Sequence, residues 1–142
     1  MSLFDIDVII MKAISANVTR GVESGSFLKC ADNTGAQIVQ LITVKSTHSV
    51  RRRRTGAGVG AVIVGTVKKG DVKIRHEVVT GVIVRQRKEY RRPNGMRIKF
   101  EDNAVVLINE RMEPRGTEIK GPIAKEVVER FRALGKIASI IV

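Results

Sequence analysis

Runs such as Val62-Ile63-Val64 and Val82-Ile83-Val84 are apolar at every position. Successive side chains of a strand point to opposite faces, so such a run needs cover on both of them. That requirement excludes a lone sheet with one face in water. The runs are short, rich in β-branched residues and separated by glycine-containing turns, the pattern of a small all-β domain. Candidate strands are Ser26–Ala31, Gln37–Lys45, Val59–Lys68, Glu77–Lys88, Met96–Phe100 and Ala104–Asn109. Between them lie Asp32-Asn33-Thr34-Gly35, Gly56-Ala57-Gly58, Lys69-Gly70-Asp71 and Pro93-Asn94-Gly95, whose residues tolerate positive φ or preset a turn. A closed or nearly closed barrel satisfies this pattern best.

The tail changes period. Gly121-Pro122 precedes Ile123–Leu134, and Gly135 follows. Proline at the first helical position and glycine just past the last are the expected punctuation, predicting a helix over about residues 122–134. Ile123, Val127, Phe131 and Leu134 share the face that docks on the barrel, with Lys125, Glu126, Glu129, Arg130 and Arg132 largely elsewhere. Ile137–Val142 is too short for a membrane anchor and is expected as a packed end. Residues 1–12 show no clear period and are expected as an N-terminal extension, leaving 13–142 as a single domain with a modest core.

Charge narrows the function. Lys and Arg number 26 against 14 Asp and Glu, a net +12, which favours a polyanionic partner such as nucleic acid or an acidic membrane surface. No apolar run approaches the roughly 18 residues that span a bilayer. The opening segment starts without basic residues, and Asp5 and Asp7 interrupt its apolar stretch, unlike a secretion signal. Cys30 is alone, so no internal disulfide forms and a reducing, cytosolic setting is expected.

Three basic clusters stand out: Arg51-Arg52-Arg53-Arg54; Lys68, Lys69, Lys73 and Arg75; and the stretch Gly81–Leu107, which holds seven Lys and Arg around Pro93-Asn94-Gly95. A single charge run is usually a solvated surface. Four consecutive arginines repel one another, however, and their planar forks match phosphate oxygens; they are expected on a mobile hairpin tip that orders on RNA. In the third cluster, strand alternation predicts Arg85, Arg87 and Glu89 on one face and Gln86, Lys88 and Tyr90 on the other. Tyr90 is a candidate for stacking on a base, although a lone strand tyrosine is more often a packing residue. With four Phe, one Tyr and no Trp, the chain lacks a stacking platform, so backbone and shape recognition is the expected mode.

Catalysis finds little support. His48, His76 and Cys30 cannot complete a tetrahedral zinc site without carboxylates. Gly56-Ala57-Gly58-Val59-Gly60 runs into a strand and opens no helix, so it lacks the amide cradle of a nucleotide loop. Glu101-Asp102 is expected to pair with nearby arginines, and Cys30 to be a small core residue. No cofactor, metal or small-molecule substrate is expected.

The residues of the third cluster and its flanks resemble a known family signature. Gly81 with Val82, Ile83 and Val84, then Asn94-Gly95, Phe100, Asn103 and Val106-Leu107 match that of the universal large-subunit ribosomal protein family numbered fourteen. Three further blocks match in order: Cys30–Ala36, Pro114–Thr117 and Gly121–Lys125. The resemblance runs from about Ala13 to Val142 and is closer to the archaeal and eukaryotic branch, with an archaeal leaning. Ala61 departs from it, standing where relatives commonly carry aspartate.

The resemblance implies a mainly β fold: a small five-stranded barrel, a protruding β-ribbon and a short C-terminal helical element. It implies a structural, non-catalytic role, binding large-subunit ribosomal RNA. It further implies contact with small-subunit RNA across an intersubunit bridge, with neighbouring large-subunit proteins and with a translation anti-association factor. RNA contacts are assigned to Arg51, Arg52, Arg53, Arg54, Lys68, Lys69, Arg85, Arg87, Lys88, Arg91, Arg92, Arg97 and Lys99. The bridge is assigned to Arg115, Gly116 and Thr117, and the polar face of the helix to protein partners. Two other classes fit a small basic chain: a free-standing RNA chaperone, which would not sediment stoichiometrically with large subunits, and an RNA-modifying enzyme, which would need a cofactor or catalytic residue.

Overall fold

The computed structural model describes residues 12–45, 47 and 50–142, so the proposed extension, apart from Lys12, and His48 lie outside the described residues. In chain order the strands are β1 (Val22–Glu23), β2 (Phe27–Cys30), β3 (Ala36–Val44), β4 (Gly56–Ala57), β5 (Val62–Gly70), β6 (Val78–Arg85), β7 (Tyr90–Arg91), β8 (Arg97–Ile98), β9 (Ala104–Ile108), β10 (Ile119–Ile123) and β11 (Ala138–Ile141). Two helices, α1 (Lys125–Arg130) and α2 (Arg132–Ile137), lie between β10 and β11.

Five strands close into a barrel in the order β2-β3-β5-β6-β9. Neighbours pair antiparallel except β2 and β9, whose parallel register, Lys29↔Ala104 and Cys30↔Val105, completes the closure. Closure leaves none of the five with an open hydrogen-bonding edge. Among the described residues, three two-stranded ribbons decorate it: β1 with β4, β7 with β8, and the parallel pair β10 with β11.

The two-sided apolar runs have a direct explanation. Alternate residues (Leu28, Val39, Leu41, Ile63, Val67, Val79, Ile83, Val105 and Leu107) form one buried cluster, which fills the barrel. Their strand neighbours Val62, Val82, Val84, Ala104, Val106 and Ile108 form a second cluster with Ile119, Ile123, Val127, Phe131 and Leu134. The tail is therefore the outer cover for β5, β6 and β9. With roughly 1.5–3 kcal/mol gained per fully buried aliphatic side chain, this outer layer matters as much as the barrel interior.

Four expectations need correction. Met96–Phe100 is no barrel strand; only Arg97–Ile98 is extended, and it pairs with β7. The strand expected to Lys88 stops at Arg85, where the β6–β9 register shifts. The single helix over 122–134 is two six-residue helices, and Pro122 belongs to β10. The break falls at Phe131, whose backbone (φ −125, ψ 87) leaves the helical region and lets both Phe131 and Leu134 reach the outer core. Gly135 ends no helix: it sits inside α2 because a Cβ there would lie 2.6 Å from Cγ1 of Val128 on α1. Ile137–Val142 is a packed end only in part, for it supplies β11, which pairs with β10.

Candidate nucleic-acid interface

The β7–β8 ribbon pairs Tyr90 with Ile98 and Arg91 with Arg97. Its turn is closed by Arg92 N–H donating to the Met96 carbonyl (2.9 Å) and Gly95 N–H to the Arg92 carbonyl (2.9 Å). Asn94 Oδ1 accepts from Met96 N–H at 3.0 Å. Tyr90 faces inward and is buried, so it packs instead of offering a stacking surface. Arg91 and Arg97 face outward, both exposed. Like charges placed directly across two strands destabilise a ribbon unless an anion neutralises them.

Two of the arginines assigned to RNA are committed inside the fold. Arg92 donates to the Glu126 carboxylate at 2.7 Å through Nε and 3.2 Å through Nη2, and the Tyr90 hydroxyl donates to the same carboxylate at 2.8 Å. The Glu126 side chain is 1% exposed and that of Arg92 12%. Burial by itself would raise the Glu126 pKa, but the Arg92 and Tyr90 hydrogen bonds outweigh it and hold the carboxyl below its ordinary value. Burial first, and then the carboxylate, pushes the Tyr90 hydroxyl well above its ordinary value. Arg85 donates to Asp102 (2.8 Å) and to the carbonyls of Lys120 (3.0 Å) and Pro122 (2.9 Å), tying β6 to β10. The pairing expected for Glu101-Asp102 is thus made by Asp102.

The expected alternation along 85–90 fails for the same reason that β6 stops early. Arg85 and Gln86 are consecutive yet both buried, while Arg87 and Lys88 are consecutive and both exposed. Gln86 is fixed by accepting from Val59 N–H (2.9 Å) and donating to the carbonyls of Thr19 (3.1 Å) and Lys88 (2.8 Å). The register shift at the end of the strand breaks the two-residue period.

The other assigned residues are exposed: Arg51–Arg54 in the loop before β4, Lys68 and Lys69 at the end of β5, and Arg87, Lys88, Arg91, Arg97 and Lys99 around the ribbon. Arg54 pairs with Glu23 at 3.0 Å and Lys88 with Glu89 at 3.3 Å. Such exposed pairs are worth little and leave the cations available.

The loop Arg115-Gly116-Thr117 is clamped from β2–β3. Asn33 Nδ2 donates to Thr117 Oγ1 at 2.8 Å, and Asn33 Oδ1 accepts from Thr117 N–H at 2.9 Å. Glycine is required at 116, because a Cβ would lie 2.6 Å from Asn33 Oδ1. Asp32, buried beside it, accepts from Thr34 Oγ1 at 2.6 Å and from Leu107 N–H at 2.8 Å. Two blocks far apart in the chain, Cys30–Ala36 and Pro114–Thr117, are therefore one structural unit.

Residues 21–142 match the family described as Ribosomal protein L14p/L23e. The chain belongs to this family. The protein named large ribosomal subunit protein uL14 of Methanoregula boonei is 52% identical over 132 residues, covering 93% of this chain and all of the relative. Proteins of the same name from Methanocorpusculum labreanum and Halorubrum lacusprofundi are 48% and 49% identical over the same shares. Membership of the L14p/L23e family makes the protein a cytoplasmic, structural component of the ribosome and not an enzyme.

Cys30 donates to Asp32 Oδ1 at 3.0 Å, and burial followed by the Asp32 charge pushes its thiol up to about 12, far from a reactive thiolate. Among the described residues no three His, Cys, Asp or Glu are grouped to hold a metal ion. Sequence reasoning overlooked Arg20, Lys45 and Arg130, which line one cleft beside Gly56–Val59. Helical periodicity had put Glu126 and Arg130 on an outer polar face. Instead, α1 is wedged between the ribbon, which takes Glu126, and the Gly60 carbonyl, which accepts from Arg130 Nη1 at 3.3 Å. No pattern within the sequence signals a contact between residues so far apart.

Proposed function

We propose that this ribosomal protein is a constituent of the large subunit that grips ribosomal RNA through a stiff basic ribbon and the loops beside it. The relatives named above carry the large subunit in their names. The observation that carries the RNA contact is Arg91 facing Arg97 across β7–β8, on a ribbon whose inner side is pinned by Tyr90, Arg92 and Glu126. A rigid support holding two like charges together is pre-organised for phosphate. Arg51–Arg54, Lys68, Lys69, Arg87, Lys88 and Lys99 extend that surface. Arg85 and Arg92 support it from within, each satisfied by a carboxylate.

The clamped loop Arg115-Gly116-Thr117 is proposed as the contact to small-subunit RNA across the intersubunit bridge. Its fixed conformation supports that reading, since an unsupported loop would have to be ordered on docking. Neighbouring large-subunit proteins and a translation anti-association factor complete the proposed partners. Residues 13–142 are taken as the working domain.

Sedimentation of a lysate through sucrose at low and high salt tests the assignment. Stoichiometric comigration with the large subunit that persists in high salt is expected. Release to the top of the gradient at moderate salt would instead indicate a transient RNA chaperone. On the isolated protein, neutralising about six phosphates predicts a log–log salt slope of roughly −4 to −5 for large-subunit RNA fragments. Arg91→Glu with Arg97→Glu should flatten it by roughly 1.5.

A further inference from the structure

Beside β4 lies a cleft of about 240 Å³, lined by Arg20, Lys45 and Arg130, by the backbone of Gly56–Val59, and by apolar walls that include Val18, Val44 and Val62. It is smaller than the roughly 300–1,000 Å³ of pockets that hold drug-sized ligands. Among the described residues, none that lines it carries a carboxylate. Arg130 is the unusual member. Its Nε is buried and has no hydrogen-bond partner among the described residues. Its other contacts are the Gly60 carbonyl at 3.3 Å and the Phe131 ring, 6.0 Å from the guanidinium carbon. Elsewhere the fold gives each deeply buried arginine a carboxylate: Arg85 has Asp102 and Arg92 has Glu126. Arg130 has burial without that compensation, and the desolvation lowers its pKa. An uncompensated cation in a partly buried site is costly, and low-dielectric walls strengthen its attraction for any anion that enters.

We infer that this cleft is a phosphate-binding site, in which the Arg130 guanidinium and the Arg20 and Lys45 side chains hold one tetrahedral oxyanion. Three cations converging on one cleft suit a single phosphate with two or three charge-assisted bonds. Two sources supply that chemistry: a phosphodiester of the RNA backbone, or free inorganic phosphate. The first rests on the RNA-binding reading above and adds an anchor on the side of the barrel that carries β1 and β4. None of these three cations belongs to the ribbon or to the loop at Arg51–Arg54.

Inorganic phosphate titrated into the full-length, ¹⁵N-labelled protein is the test, read at the Arg130 Nε–H and the Gly56–Val59 amide resonances. Saturable shifts confined to those signals are expected. Arg130→Gln should abolish them, and Arg20→Gln with Lys45→Gln, both exposed, should weaken phosphate roughly a hundredfold, about tenfold for each charge-assisted bond. Unsaturated shifts spread over all exposed basic residues would overturn the site. Adding a large-subunit RNA fragment separates the sources: displacement of phosphate assigns the site to a phosphodiester, and retention of phosphate beside bound RNA assigns it to the free anion. RNA binding that survives Arg130→Gln and the double variant unchanged, but is lost on Arg91→Glu with Arg97→Glu, would remove the phosphodiester source and leave the ribbon reading standing.

Discussion

Replacing Glu126 by Leu should damage the protein more than its single charge suggests. The carboxylate accepts three hydrogen bonds, two from Arg92 and one from Tyr90. Deleting it leaves a guanidinium, 12% exposed, whose remaining hydrogen bond among the described residues is from Nη2 to the Val142 carbonyl at 2.6 Å, and removing one partner of a buried ion pair costs about 3–5 kcal/mol. The residual exposure of Arg92 argues for the lower end, about 3 kcal/mol. For a chain near 150 residues that is a loss of roughly 6–12 °C in Tm. Arg92→Leu should cost a similar amount, because the buried carboxylate then loses the bonds that hold its pKa down. The double Leu variant should fall close to either single one or recover, since a matched apolar pair replaces a buried ion pair at little cost. A double-mutant cycle by urea denaturation should therefore give a coupling of roughly 2–4 kcal/mol. Single losses below about 1 kcal/mol that simply add would show that the pair does not pin the ribbon to α1, and would refute the reasoning.

Acid should act through the same pair. The Glu126 pKa is lowered in the folded state, so its contribution is complete above the unfolded value of about 4.3 and is lost as pH falls through the folded value. The urea midpoint of the wild type should drop over that interval more steeply than that of Glu126→Gln, and parallel curves would contradict this. Arg85→Leu, which breaks the bonds to Asp102 and to two β10–side carbonyls, should cost about 3 kcal/mol in urea while leaving the RNA salt slope unchanged. Cys30, with its thiol pushed up to about 12 from 9.0, should be alkylated at neutral pH roughly a thousandfold more slowly in the native protein than in urea; equal rates would disprove the assigned environment. Gly116→Ala should displace Asn33 from Thr117, detected as loss of amide-exchange protection at Thr117, with the barrel unaffected.

Much of the architecture was legible from local pattern. The β-branched runs located the cores of the five barrel strands, and their two-sided apolar character demanded closure or cover. Both are present: alternate residues fill the barrel and their neighbours lie beneath the tail. The excess of positive charge followed from composition, and a basic hairpin turning at Pro93-Asn94-Gly95 from the order of residues 81–107. These properties depend on the side chains of consecutive residues, which is why a one-dimensional reading reaches them.

Which cations face outward was decided only by the tertiary structure. Arg85 and Arg87 look equivalent in the chain, as do Arg91 and Arg92. A register shift at the end of β6 turns Arg85 toward Asp102, and the ribbon's pleat turns Arg92 toward Glu126 on α1. The burial of Arg130 against Gly60 likewise comes from close approach of segments distant in sequence, whereas the break at Phe131 folds α2 back until Gly135 meets Val128 on α1. Local propensity sets what a segment tends to form. Burial and pairing of a charge depend on the partner that folding brings to it, and for Arg85, Arg92 and Arg130 that partner is 17, 34 and 70 residues away.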